Sequence, residues 1–184
     1  MAETQTQSHS VTVDVPLRTA YDQWTQLEEF PVIMPIVEQV VQQDDDTVLF
    51  RLNLLGRRIE YQARIVEQVP DDRIAWRSVT GKDIGGIVRF RALNEEQTQI
   101  MLDLRYERDG FLEIVGDELG LVSERVRAAL QSFKEFVESR GHATGAWRGT
   151  IHHGQVETVE GAPLRPSTAE RVRRDPLHEQ HSEF

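Results

Sequence analysis

Cysteine is absent from this 184-residue chain, which excludes disulfides, thiolate metal ligands and a cysteine nucleophile. No apolar run approaches the roughly 20 residues that a membrane-spanning helix requires, so stable membrane insertion is not expected. The opening segment MAETQTQSHS has neither a basic region nor an apolar stretch, so it does not read as a secretory signal, and a cytoplasmic location is expected. Positive charge is also scarce. Lys and Arg number 21 against 31 Asp and Glu, a net charge of −10, and nonspecific nucleic-acid binding needs the opposite balance. There is no G-x-S-x-G elbow, no H-E-x-x-H pair and no P-loop. What is present, 39% hydrophobic and 28% charged residues, describes an acidic globular domain of ordinary size with a tail.

The tail is expected to begin near residue 150. After Gly141 apolar residues thin out, Gly and Pro punctuate the chain, and the five arginines nearly balance six carboxylates. The acidity therefore belongs to the body. Residues 150–184 carry too little apolar surface to offset the entropy of ordering, which predicts a folded domain over 8–149 and a largely disordered tail.

Within the body, Val11, Val13 and Val15 alternate as a strand, and Pro16 introduces a helix whose Ala20, Trp24 and Leu27 form one stripe. The segment Phe30 to Pro35 is a second, short apolar turn. Alternating runs follow at 48–54, 59–65, 73–78, 88–92 and 99–106, separated by turn signals such as Pro70-Asp71-Asp72. Gly81, Gly85 and Gly86 read as a strand-connecting turn, because no helix follows them to form a phosphate loop. Between Phe111 and Arg140 apolar residues recur at spacings of three and four: one long amphipathic helix. The fold class is thus α+β: a curved antiparallel sheet of six to seven strands wrapped around a long C-terminal helix, with two short helices after the first strand.

Such a sheet must cover its apolar concave face, and a rod laid across a deep curve leaves space beneath it for a ligand. The predicted lining is Phe50, Leu52, Tyr61, Trp76, Phe90 and Leu102 from the sheet, with Leu119, Val122 and Val126 from the helix. Each of these residues also suits an ordinary core. Trp24, on its stripe with Ala20 and Leu27, is read as structural. Polar groups on inward positions are few: Tyr61, Tyr106, Ser78 and, near the strand end, Glu67. Tyr61 and Glu67 are the candidate catalytic groups, Tyr61 because its hydroxyl can orient or protonate a carbonyl oxygen. All six histidines (His9, His142, His152, His153, His178 and His181) are expected outside the fold, and the His178-Glu179-Gln180-His181 cluster is read as solvated rather than metal-binding. No metal and no cofactor is expected.

The segments PLRTAYDQWTQLEEFPVIM, RIEYQARIVEQVPDDRIAWRSVTG and GIVRFRAL, the helix ending FKEFVESRG, and the GAWRG that follows it occur in an order that resembles the polyketide cyclase/dehydrase group. That group belongs to the START-like helix-grip superfamily, which includes coenzyme Q-binding START-domain proteins, and the resemblance spans roughly residues 8–149. It implies the helix-grip fold and binding of an apolar or aromatic small molecule, in some members with cyclisation or dehydration chemistry. No catalytic signature of the group maps onto this chain.

Two functions of different class follow. The first is binding of a hydrophobic small molecule of lipid, quinone or polyketide type. The alternative is a cyclase or dehydratase acting on a polyketide or aromatic substrate. A weaker third reading is an interaction protein that uses its tail, in which Ala169–Arg174 has the pattern of a short helix.

Overall fold

The computed structural model of the chain describes residues 4–54, 56–107 and 119–157, and only the backbone at Leu119. The first strand, β1 (Thr4–Val13), starts earlier than the valine alternation indicates. Gln5, Gln7 and His9 continue the inward phase of Val11 and Val13, so the alternation runs on in residues that carry no hydropathy signal. Pro16 leads into α1 (Leu17–Trp24), and its carbonyl accepts from the Ala20 N–H at 3.1 Å. A 3-10 turn (Leu27–Glu29) runs into the single-turn helix α2 (Phe30–Ile33), as the proline-bounded segment suggests.

The strands β2 (Val37–Gln42), β3 (Thr47–Leu54), β4 (Arg57–Val69), β5 (Arg73–Gly81), β6 (Ile84–Ala92) and β7 (Thr98–Glu107) then pair as a meander. β1 closes on β7, giving the antiparallel order β1-β7-β6-β5-β4-β3-β2. Two further strands, β8 (Thr150–His152) and β9 (Gln155–Glu157), form a hairpin attached to β4. The described residues therefore contain nine strands in one sheet, against the six or seven expected. The additional ones are β2 and the β8–β9 hairpin.

Across the sheet lies α3 (Leu119–Arg140), which buries Val122, Val126, Leu130, Phe133 and Val137 along one stripe. The stretch 108–118, including Phe111, Leu112 and Val115 of the expected helix start, lies outside the described residues. Polar contacts fix α3 along β1: Lys134 Nζ donates to the Thr12 carbonyl at 2.7 Å, and the Glu138 carboxylate accepts the Asp14 N–H at 2.7 Å.

The boundary at residue 149 falls too early. Trp147 is buried and its N–H donates to Thr25 Oγ1 at 3.0 Å, while Ile151 is fully buried where β8 meets β4. The sequence hides this because the ordered segment is three-residue strands between glycines, too short to show a period. Residues 158–184, with His178, His181 and Ala169–Arg174, lie outside the described residues. Three histidines expected outside the fold lie in it: His152 in β8 and His153 in the tight turn between β8 and β9, hidden by those short strands, and His9 in β1, hidden by its polar neighbours.

Candidate functional site: an apolar cavity under the long helix

The concave faces of β2 to β5 and β7 do not reach α3 everywhere. Between them is a cavity of about 160 Å³. Of the predicted lining, Phe50, Leu52, Tyr61, Trp76, Leu102 and Val126 do line it. Phe90 and Val122 are buried but lie elsewhere. Phe90 packs edge-on against the rings of Tyr21 (5.4 Å) and Trp24 (6.0 Å), in the filled core where α1 meets β6. The Leu119 side chain lies outside the described residues.

Alternation assigns a side chain to a face but not to a depth along the strand, so it cannot separate cavity from core. It also overlooks the segment from α1 to β2. Trp24, Leu27, Phe30, Met34, Ile36 and Val37 form a large part of the wall. Trp24 is both structural and lining: its ring sits edge-on to Phe133 at 4.9 Å and Phe30 at 5.4 Å, and it also borders the cavity. The proline-bounded run of apolar residues from Phe30 was the available signal.

Two polar groups enter this apolar wall. Tyr61, 6% exposed, stacks on Phe50 with ring centroids 5.4 Å apart and planes 17° from parallel. Burial pushes its phenol pKa well up, and the nearby Trp76 indole offsets a little of that rise. The buried Trp76 Nε1–H makes no hydrogen bond of normal geometry among the described residues.

The other inward candidates are occupied or displaced. Ser78 Oγ accepts the Ile84 N–H at 3.1 Å and so closes the β5–β6 turn. Tyr106 shares its hydroxyl with Gln7 Nε2 (2.8 Å) and Gln5 Oε1 (3.2 Å). Glu67 is a correction. β4 changes register between Ile65 and Glu67, and the extra residue reverses the phase, so Gln68 turns inward and Glu67 outward. Gln68 is fully buried and donates to the Tyr21 hydroxyl at 3.0 Å. Glu67 instead pairs with Arg73 at 2.5 Å, and that hydrogen bond holds its carboxyl below the usual range. It does not line the cavity.

His9 is the titratable group that sequence reasoning missed. It faces inward on β1 opposite Leu102, a cavity residue, and its buried Nε2 has no hydrogen-bond partner among the described residues. Burial, and after it the charge of Arg127, lowers its pKa.

Beside the cavity is a more polar groove of about 340 Å³, bordered by Pro35, Glu38, Asn53, Gly56, Arg125 and Ser132. Ile36 and Ala129 belong to both, so the groove is where the cavity adjoins solvent. Glu38 is fixed at this rim by Asn53 Nδ2 (3.0 Å) and Arg58 Nε (2.8 Å). Among the described residues no group of His, Asp and Glu is arranged to hold a metal ion, and no helix is long and apolar enough to cross a membrane.

A curved antiparallel sheet gripping one long helix over an apolar cavity defines the helix-grip class. The chain matches the family described as polyketide cyclase / dehydrase and lipid transport over residues 13–135, and it belongs to that family. An uncharacterised 17.2 kDa protein of Streptomyces lincolnensis is 41% identical over 143 residues, 77% of this chain and 95% of that protein. Among solved structures, the Zhui aromatase/cyclase of Streptomyces sp. R1128 superposes with a TM-score of 0.64 at 22% identity, covering 78% of this chain and 99% of its own. A START superfamily protein from Mycobacterium smegmatis gives 0.57 at 13% identity, covering 73% and 95%. At these identities the two structures share the fold.

Proposed function

We propose that this protein binds an uncharged, ring-containing hydrophobic molecule of lipid, quinone or polyketide type between its sheet and α3. The observation that carries the reading is the cavity's chemistry: about 160 Å³ bounded by Leu, Ile, Val, Met, Phe and Ala side chains, with Trp24, Tyr61 and Trp76 the described lining residues whose side chains carry a polar atom. An engineered apolar cavity of about 150 Å³ stays dry and takes up benzene, so this space suits one aromatic ring. A larger ligand would extend past Ala129 and Ile36 into the adjoining groove. A charged group is disfavoured inside, because among the described residues no cation or carboxylate borders the cavity to offset its desolvation.

The test is titration with the neutral dye N-phenyl-1-naphthylamine. The wild type should bind it with enhanced fluorescence. Ala129→Trp, which fills the junction of cavity and groove, should abolish the signal while the melting temperature stays within a few degrees. Absence of binding by the wild type, with Ala129→Trp strongly destabilised, would mean a filled core and end this reading.

A second reading, cyclase or dehydratase, draws on His9. An inward imidazole with an unpartnered Nε2 and a lowered pKa is neutral near pH 7 and so fit to accept a proton next to a carbonyl. Its assay is hydrogen–deuterium exchange at the methyl group of 2-acetonaphthone in D2O. Acceleration by the wild type and not by His9→Gln supports an enzyme; no acceleration leaves binding alone.

A further inference from the structure

We infer that Tyr61 and Trp76 form a two-donor clamp that selects, among apolar ring compounds, those bearing a carbonyl oxygen. This rests on the binding function proposed above and specifies its ligand. The two residues lie on adjacent strands and border the same cavity. Among the described residues the buried Trp76 N–H has no acceptor at hydrogen-bond geometry, only the nearby Tyr61 hydroxyl, a condition that ordinarily costs folding free energy. Next to it is the Tyr61 hydroxyl, a donor that rotates freely about its C–O bond. A carbonyl oxygen has two lone pairs and can accept from both, while the body of the ligand fills the apolar remainder. Water fits less well, since it would lose hydrogen-bonding partners on every side but this one. A carboxylate would enter without a counter-ion.

A glycine stands opposite each of the two residues. Trp76 pairs across the strands with Gly86, where a Cβ atom would lie 2.8 and 2.9 Å from two of the indole carbons. Tyr61 pairs with Gly81, where a Cβ atom would lie 2.6 Å from the Glu60 carbonyl oxygen and 3.1 Å from the Tyr61 Cβ. The glycines that read as turn residues in the sequence thus clear the space that the two donors and their strands occupy. Phe50 completes the support by stacking on the phenol.

The experiment compares 2-acetonaphthone with 2-ethylnaphthalene, which have nearly the same shape and differ in the oxygen. The wild type should bind the ketone about tenfold more tightly, the worth of one to two net hydrogen bonds. The infrared stretch of the 13C-labelled carbonyl should move to lower frequency on binding. In Tyr61→Phe and in Trp76→Phe the preference should shrink and the stretch move back. This comparison within the wild type does not depend on any variant folding. Equal affinity for the two compounds, or an unshifted stretch, overturns the clamp and leaves the binding function standing. Failure to bind either compound overturns both.

Discussion

Arg148 Nη1 donates to the carboxylate of Asp22 at 2.5 Å, linking the segment after α3 to the first helix across 126 positions of sequence. The same guanidinium reaches Asp71 at 2.6 Å and lies over the Tyr21 ring, its central carbon 5.5 Å from the ring centroid. Asp71 presents its carboxylate from a left-handed backbone position (φ 62°) in the turn after Pro70, a conformation that Asp tolerates better than most residues. One arginine therefore joins α1, the β4–β5 turn and the C-terminal segment.

Arg148→Ala should cost about 2–4 kcal/mol, because the buried Asp22 would keep only the longer, exposed contact to Arg18 at 3.7 Å. Urea denaturation measures this. A double-mutant cycle with Asp22→Ala should give a coupling energy above about 1 kcal/mol; additivity would mean the pair contributes nothing.

Trp24→Ala should destabilise by about 3–5 kcal/mol, since the ring packs on Phe30, Phe90 and Phe133. Because the same ring borders the cavity, Trp24→Phe should keep most of the stability and change the affinity for N-phenyl-1-naphthylamine. Unchanged affinity would confine Trp24 to a structural role.

Val122→Trp should behave unlike Ala129→Trp. Val122 is 4% exposed and away from the cavity, so the added ring meets filled space and costs about 1–3 kcal/mol. Dye binding should survive in the folded fraction. Wild-type stability in both variants would show that the helix faces empty space along its whole length.

His9 sets a pH dependence. Its folded-state pKa lies below the ordinary 6.5, because burial and Arg127 disfavour the imidazolium. Above pH 6.5 His9 is neutral in both states and has no effect. As the pH falls through 6.5 the unfolded chain takes up the proton first, so stability declines until the folded form is protonated as well. His9→Gln should flatten the stability profile just below pH 6.5. The carboxylates with lowered values, Glu38, Asp44, Glu67 and Asp103, titrate lower still and should leave this interval unchanged.

The architecture was legible where side chains alternate strictly in hydropathy. β3 to β7 and the stripe of α3 follow from periodicity alone. β2 was not, because Val40 and Val41 are adjacent and its register shifts between Val37 and Gln39, so no alternation survives. The bulge at Ile65 and Glu67 hid itself in the same way, and a phase carried through it placed Glu67 on the wrong face. In the site, six of the nine residues named from the sequence border the cavity, since any large apolar residue facing α3 near the middle of the sheet qualifies. His9 was lost because an imidazole between polar neighbours looks the same in sequence whether the strand covers a cavity or faces water.

The attachment of β8 to β4 has a further consequence. β4 is 13 residues long and outruns its partner: β3 pairs with it only as far as Arg64. Beyond that point its backbone donors and acceptors would offer a template for another chain. Ile151 pairs with Gln68 there, and the Gly154 N–H donates to the Val66 carbonyl at 2.9 Å. The hairpin at 150–157 thus acts as a guard on a raw sheet edge, and a chain cut before it would be prone to self-association through strand addition even if its cavity were intact.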